Sequence, residues 1–224
     1  MTSLLRRSIV LPVLLAYAFL YVTAAHGDTV YNESISGDLS NNGLAPTLLA
    51  FGLGNNDVFG TTGKSAAGVI DRDYFTFTLP EGMFLTGITV LPGTQTLGAL
   101  GESFIGVESG PEVDVSTAAT TATGLLGWFH YGSSDINEDI LPMMGTSGLG
   151  STGFTGFLPA GTYSFWVQEA SVGTVNYGLD FTVATPEPAT WTMMLTGMGM
   201  LAGETARRAR RSGLFRRAAT RPDC

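Results

Sequence analysis

The sequence is poorest in the residues that most enzymes and nucleic-acid binders depend on. Of its 224 residues one is cysteine, Cys224, and it stands last. No disulfide framework and no cysteine-based zinc site forms within one copy of such a chain. With nothing after it, the thiol is not a prenylation signal either. There are two histidines. His26 falls in a leader segment, and His130 lies in Trp128-Phe129-His130-Tyr131, an aromatic stretch that reads as a strand. No apolar run reaches the roughly 20 residues a membrane-spanning helix prefers.

Cations are equally scarce away from the two ends. Between Asp28 and Thr185 only Lys64 and Arg72 face sixteen carboxylates, a net of −14 within an overall charge of −8. Nucleic acid is excluded as a partner, because its backbone binds through Lys and Arg. Cations and neutral sugars suit such a domain better. What is abundant is Gly, Thr and Ser, the composition of an extracellular β-protein with many turns. The length accommodates one well-buried domain plus targeting segments.

Both ends read as address labels. Arg6 and Arg7 precede an apolar run over residues 9–22, then the small residues Thr23, Ala24, Ala25 and Gly27. This is the pattern of a signal peptide over residues 1–27, cleaved after Ala25 or Gly27. At the other end stands Thr185-Pro186-Glu187-Pro188-Ala189-Thr190-Trp191, followed by an apolar stretch and by Arg207, Arg208, Arg210 and Arg211. The prolines fix an extended, accessible segment. Trp191 suits the membrane interface and the arginines its cytoplasmic side. Glu204 interrupts the apolar stretch and shortens its clean part to residues 191–202.

This tail resembles the PEP-CTERM sorting signal, in which the tripeptide, an apolar helix and an arginine cluster follow in that order. The resemblance implies a membrane-embedded exosortase as processing partner, transient membrane anchoring, and delivery to the cell surface, outer envelope or extracellular matrix. It divides the chain into a signal peptide (1–27), an ectodomain (28–184), a sorting and anchor segment (185–211) and a basic tail (212–224).

Within the ectodomain the dominant period is two, which means strands. Phe75, Phe77 and Leu79 alternate with Tyr74, Thr76 and Thr78, and Tyr163, Phe165 and Val167 with Thr162, Ser164 and Gln168. Val175, Tyr177, Leu179, Phe181 and Val183 form the clearest half-buried strand. Such apolar faces pack most economically as two sheets face to face. Leu79-Pro80-Glu81-Gly82 and Leu158-Pro159-Ala160-Gly161 predict turns, expected to close hairpins onto strands at 83–91 and 162–169. Residues 110–153 are expected to hold one good strand, 125–131. The segment from Asp71-Arg72-Asp73-Tyr74 through Gly82, with Asn176-Tyr177-Gly178-Leu179-Asp180-Phe181 at the end, resembles bacterial pre-peptidase C-terminal domains. That resemblance implies an all-β, jelly-roll-like antiparallel β-sandwich, flanked here by the signal helix and the C-terminal hydrophobic helix, and used as a non-catalytic accessory module.

Catalytic machinery is thin. There is no G-x-S-x-G elbow. Gly60-Thr61-Thr62-Gly63-Lys64-Ser65 has the wrong glycine spacing for a phosphate loop and reads as a turn. Asp135, Asn137 and Asp139 have the alternate spacing that begins a calcium loop, but Ile140 and Thr146 occupy the positions of its glycine and final glutamate. A solvated acidic loop is the simpler reading. Asp71 and Asp73 flank Arg72, where they would either pair with it or hold a structural calcium. Trp128 and Trp166 would stack on sugar rings or pack the core. The expectation is a non-enzymatic surface or matrix protein associated with exopolysaccharide; the ligand itself is not legible. The alternative is a small secreted hydrolase that acts on glycans through two opposed carboxylates. Ice binding ranks last, since the Thr-rich middle lacks a regular repeat.

Overall fold

A computed structural model of the chain describes residues 28–98, 101–115 and 122–185. The signal segment, the sorting motif from Pro186 onward and the basic tail lie outside the described residues. Nine strands dominate: β1 Asp28–Asn32, β2 Thr47–Leu48, β3 Gly54–Lys64, β4 Ile70–Leu79, β5 Phe84–Val90, β6 Glu102–Ser109, β7 Gly127–Gly132, β8 Gly161–Gln168 and β9 Gly173–Ala184. Two short helices, Glu33–Ser36 and Leu141–Ser147, and a 3-10 turn at Ser133–Asp135 complete the described elements.

The strands form one mostly antiparallel sheet, in the order β5-β9-β3-β4-β8-β6-β7, with β1 parallel to β3 and β2 parallel to β4. β3 and β4 pair only at Gly63 with Asp71 and Lys64 with Ile70. Beyond that corner they diverge, and the sheet curls over so that its two halves face each other. Phe181 of β9 meets Phe75, Phe77 and Phe165 of the other half edge-on, with ring centroids 5.6, 6.1 and 5.2 Å away. Phe75 and Phe77 in turn stack on Phe165. Edge-to-face and offset stacking are the favoured aromatic geometries, and each such side chain removes a large apolar area from water. All four phenylalanines are fully buried. The alternation seen in β4, β8 and β9 therefore holds on the core face.

The all-β expectation stands, as one curled sheet in place of two separate ones. Neither Leu-Pro-x-Gly turn closes a hairpin. The first is a true turn, with the Met83 N–H donating to the Pro80 carbonyl at 3.0 Å. But one edge of β4 is taken by β8 along Arg72–Leu79 and the other by β2 and β3. The outgoing β5 finds no free edge there, so it crosses to the opposite half and pairs with β9. The second turn crosses in the same way: Leu158 pairs with Leu85 in one half, and β8 joins β4 and β6 in the other.

The segment from Gly60 to Lys64 is not a turn but the end of β3, and from Gly60 to Gly63 it pairs residue for residue with β9. Its glycines serve packing and not turning. A Cβ on Gly60 would lie 2.7 Å from the buried ring of Tyr177. The expected middle strand appears as β7, joined by the helix Leu141–Ser147, which is too short to show a helical period.

Candidate functional site

Strand alternation places Asp73 in phase with Phe75, Phe77 and Leu79, so its carboxylate points into the interior. It is 0% exposed, and neither oxygen has a hydrogen-bond partner. A buried charge without donors is expensive. Burial first, and then the nearby Glu33 carboxylate, push the Asp73 pKa up to about 9, against the opposing effect of the Tyr177 hydroxyl. Tyr177 on β9 and Tyr131 on β7 are also buried with unpartnered hydroxyls. Burial and the Asp73 charge raise the pKa of Tyr177 well above the usual tyrosine value.

Two more carboxylates reach this point from the segment after β1. The Asn32 side chain caps the helix Glu33–Ser36 by accepting the Ser34 N–H at 3.0 Å. The Tyr31 hydroxyl donates to the Gly37 carbonyl at 3.0 Å and holds the helix end, while Leu39 plugs into the core. Glu33 Oε1 accepts the Leu39 N–H at 2.9 Å. Glu33 Oε2 accepts the Thr61 N–H at 2.7 Å and the Thr61 hydroxyl at 3.1 Å. The segment is thereby tied to β3, and one oxygen each of Glu33, Asp38 and Asp73 lies within 4.8 Å of the other two. Beside them a cleft of about 320 Å³, lined in part by Glu33, Thr61, Asn176 and Tyr177, opens to solvent.

Of the acidic residues singled out in the sequence, only Asp73 joins this cluster. Asp71 accepts from the Asn41 side chain at 2.9 Å. Arg72 pairs with neither neighbour among the described residues. It stands on the opposite face of β4, where its Nε donates to Gln168 Oε1 at 2.9 Å. Asp135 and Asp139 both accept from the backbone. Asp135 accepts the Gly132 N–H at 2.7 Å, Asn137 takes a positive φ of 70°, and Asp139 accepts the N–H groups of Ile88 and Leu141 at 2.8 and 3.0 Å. They brace a loop against β5.

The outer face of β4, β8, β6 and β7 carries a row of aromatics. Tyr74 stacks on Trp166, Phe104 lies edge-on to Trp166, and Phe104 stacks on Trp128 at 6.1 Å. Trp166 is buried with Tyr74 and Val113, so it serves packing. Trp128 and Phe104 are half-exposed and His130 is exposed. The Trp128 indole N–H donates to the Leu149 carbonyl at 3.2 Å, which fixes the ring. A cleft of about 260 Å³ adjoins them, lined by Glu102, Phe104, His130 and Gln168 among others.

β9 ends at Ala184, and residues 184–211 match the family model described as the PEP-CTERM protein-sorting motif. The chain carries a PEP-CTERM motif. It is therefore an exported protein, sorted by an exosortase system to the cell envelope. The PEP-CTERM match covers the residues expected for sorting: Pro186, Glu187, Pro188, Trp191, Arg207, Arg208, Arg210 and Arg211. It does not extend to the ectodomain, and no curated protein matches the chain. Among the described residues no helix is long and apolar enough to cross a membrane.

Glu33, Asp38 and Tyr177 escaped the sequence reading as site residues. The one available signal was phase: Asp73 shares the parity of the core phenylalanines, and a carboxylate on a core face needs a partner.

Proposed function

We propose that this PEP-CTERM protein is a non-enzymatic surface or matrix component whose β-domain is presented after exosortase processing and associates with exopolysaccharide. The observation that carries the reading is the junction at Ala184, where the last core strand passes directly into the sorting motif. The cargo delivered by that motif is the folded β-domain. The half-exposed Trp128 and Phe104, with polar Glu102 and Gln168 alongside, support a glycan partner, since flat aromatic faces bind apolar surfaces of ligands and polar groups orient them. The strongly negative domain favours a neutral glycan over an anionic one. Against catalysis stands the burial of Asp73, which leaves Asp38 as the one exposed carboxylate of that cluster.

The test is co-sedimentation of the purified chain with exopolysaccharide from the producing cells. Retention that falls in Trp128→Ala with an unchanged unfolding temperature supports the reading. Release of reducing sugar from that polymer would replace it with the hydrolase.

A further inference from the structure

We propose that Glu33, Asp38 and Asp73 bind one hard divalent cation, calcium by the chemistry of the site. The proposal is independent of the glycan reading and rests on how the buried carboxylates are satisfied. Glu169, nearly as buried as Asp73, accepts from the Leu97 N–H, the Ser171 N–H and the Ser103 hydroxyl. Asp180 accepts from the Asn56 N–H and the Thr182 hydroxyl. Asp73 alone among the described buried carboxylates has two bare oxygens. The Tyr177 hydroxyl, buried beside it, is bare as well. The fold donates well-formed hydrogen bonds to its other buried acids and leaves this one only the adjacent Tyr177 hydroxyl, which leaves room for a positive ion.

The geometry agrees. Two oxygens bound to one calcium at about 2.4 Å stand at most about 4.8 Å apart, and the three carboxylates meet that limit. A carboxylate offers about four acceptor positions. Glu33 uses three of them on Leu39 and Thr61 and keeps one on Oε1. It suits a one-oxygen ligand already locked in place. Asp73 offers both oxygens from the core side, and exposed Asp38 closes the solvent side, where water completes the shell. An all-oxygen, irregular set favours calcium over magnesium, which demands a near-ideal octahedron. With no imidazole or thiolate in the cluster it does not favour zinc or copper. The ion would tie the segment after β1 to β4 at the corner where β3 and β4 part.

The test measures thermal unfolding of the full chain in calcium and in chelator, together with tyrosine-sensitised terbium luminescence as a direct binding signal. Calcium is expected to raise the unfolding midpoint by about 5 °C or more. Asp73→Asn is expected to abolish that rise, because a neutral amide offers the cation one weak oxygen in place of two carboxylate oxygens. If that variant does not fold, Asp38→Asn, altered at an exposed position, is expected to raise the half-saturating calcium concentration at least about tenfold. Glu81→Gln, exposed and distant in sequence from the cluster, keeps the full response. Equal midpoints of the parent in calcium and chelator, a full response in Asp73→Asn, an unchanged half-saturating calcium concentration in Asp38→Asn, or loss of the response in Glu81→Gln would each overturn the site.

Discussion

The side-chain amide of Asn56 donates to the main-chain carbonyl of Phe181 at 2.9 Å, and the same nitrogen reaches the carbonyls of Gly52 and Gly54 at 3.0 Å each. Its oxygen accepts the Gly52 N–H at 2.7 Å. One buried amide thus fastens the approach to β3 onto β9. Asn56→Ala would strand these backbone groups, and each buried group left bare costs about 1–3 kcal/mol. Equilibrium urea unfolding should show a loss of about 2–4 kcal/mol. Asn56→Asp should cost at least as much, because a carboxylate sets oxygen against the three carbonyls that the amide nitrogen now serves.

A second prediction concerns the contact between β7 and the helix Leu141–Ser147. A Cβ on Gly127 would fall 2.4 Å from the Met144 carbonyl oxygen and 2.8 Å from the Phe154 ring. The obstruction is backbone, so the helix itself must move. Gly127→Ala should therefore destabilise by about 1–3 kcal/mol, although alanine suits a strand at least as well as glycine does. An unchanged urea midpoint would show that the helix gives way freely.

Glu108 supplies a pH dependence separate from the acidic cluster. Burial, a hydrogen bond shared with the Asp114 carboxyl and the Asp114 charge raise its pKa from 4.5 to about 7. The folded state therefore holds this proton where the unfolded chain has lost it. The group's stabilising contribution is full below about pH 4.5 and fades as pH rises through about 7. Glu108→Gln would mimic the protonated form at every pH. The gain in unfolding temperature of that variant over the parent should be near zero at pH 4 and climb between about pH 4.5 and 8. A flat difference across that window would show that the two carboxyls share no proton.

The sequence made the strands with strict alternation legible, because parity alone decides which face is buried. Phe75, Phe165 and Phe181 sit where period two put them. The partners of those strands were not legible. Turn chemistry at Pro80 and Pro159 shows that the chain bends, but whether a bend closes a hairpin or crosses between halves depends on which strand edges are already filled. β3 was hidden by Gly60 and Gly63, glycines whose reason lies in Tyr177 and in the backbone at Gly173. The acidic cluster was half legible. Asp73 stood out by chemistry, whereas Glu33 and Asp38 reach it only because Thr61 and Leu39 fold the intervening segment back. The sorting motif was the most legible feature, since its order along the chain is itself the signal and no tertiary contact is needed to read it.

The last prediction follows from that order. Glu204 stands between the apolar residues after Trp191 and the arginines at 207 and 208. A carboxylate is costly within a bilayer, less so near the ends of a span than at its centre. The clean run ahead of it is well short of the roughly 20 residues that hold a helix firmly across a membrane. If the stretch after Trp191 anchors the uncut chain, Glu204 weakens its hold. Glu204→Leu should lengthen the residence of the uncut chain, and cell fractionation followed by intact-mass measurement should find more of the precursor in the membrane fraction and less processed protein at the surface. Conversion of Arg207 and Arg208 to glutamine should move that partition the other way, because a basic cluster favours the cytoplasmic side of a span. If Glu204→Leu leaves the partition unchanged, the anchor is set by its arginines and not by its length.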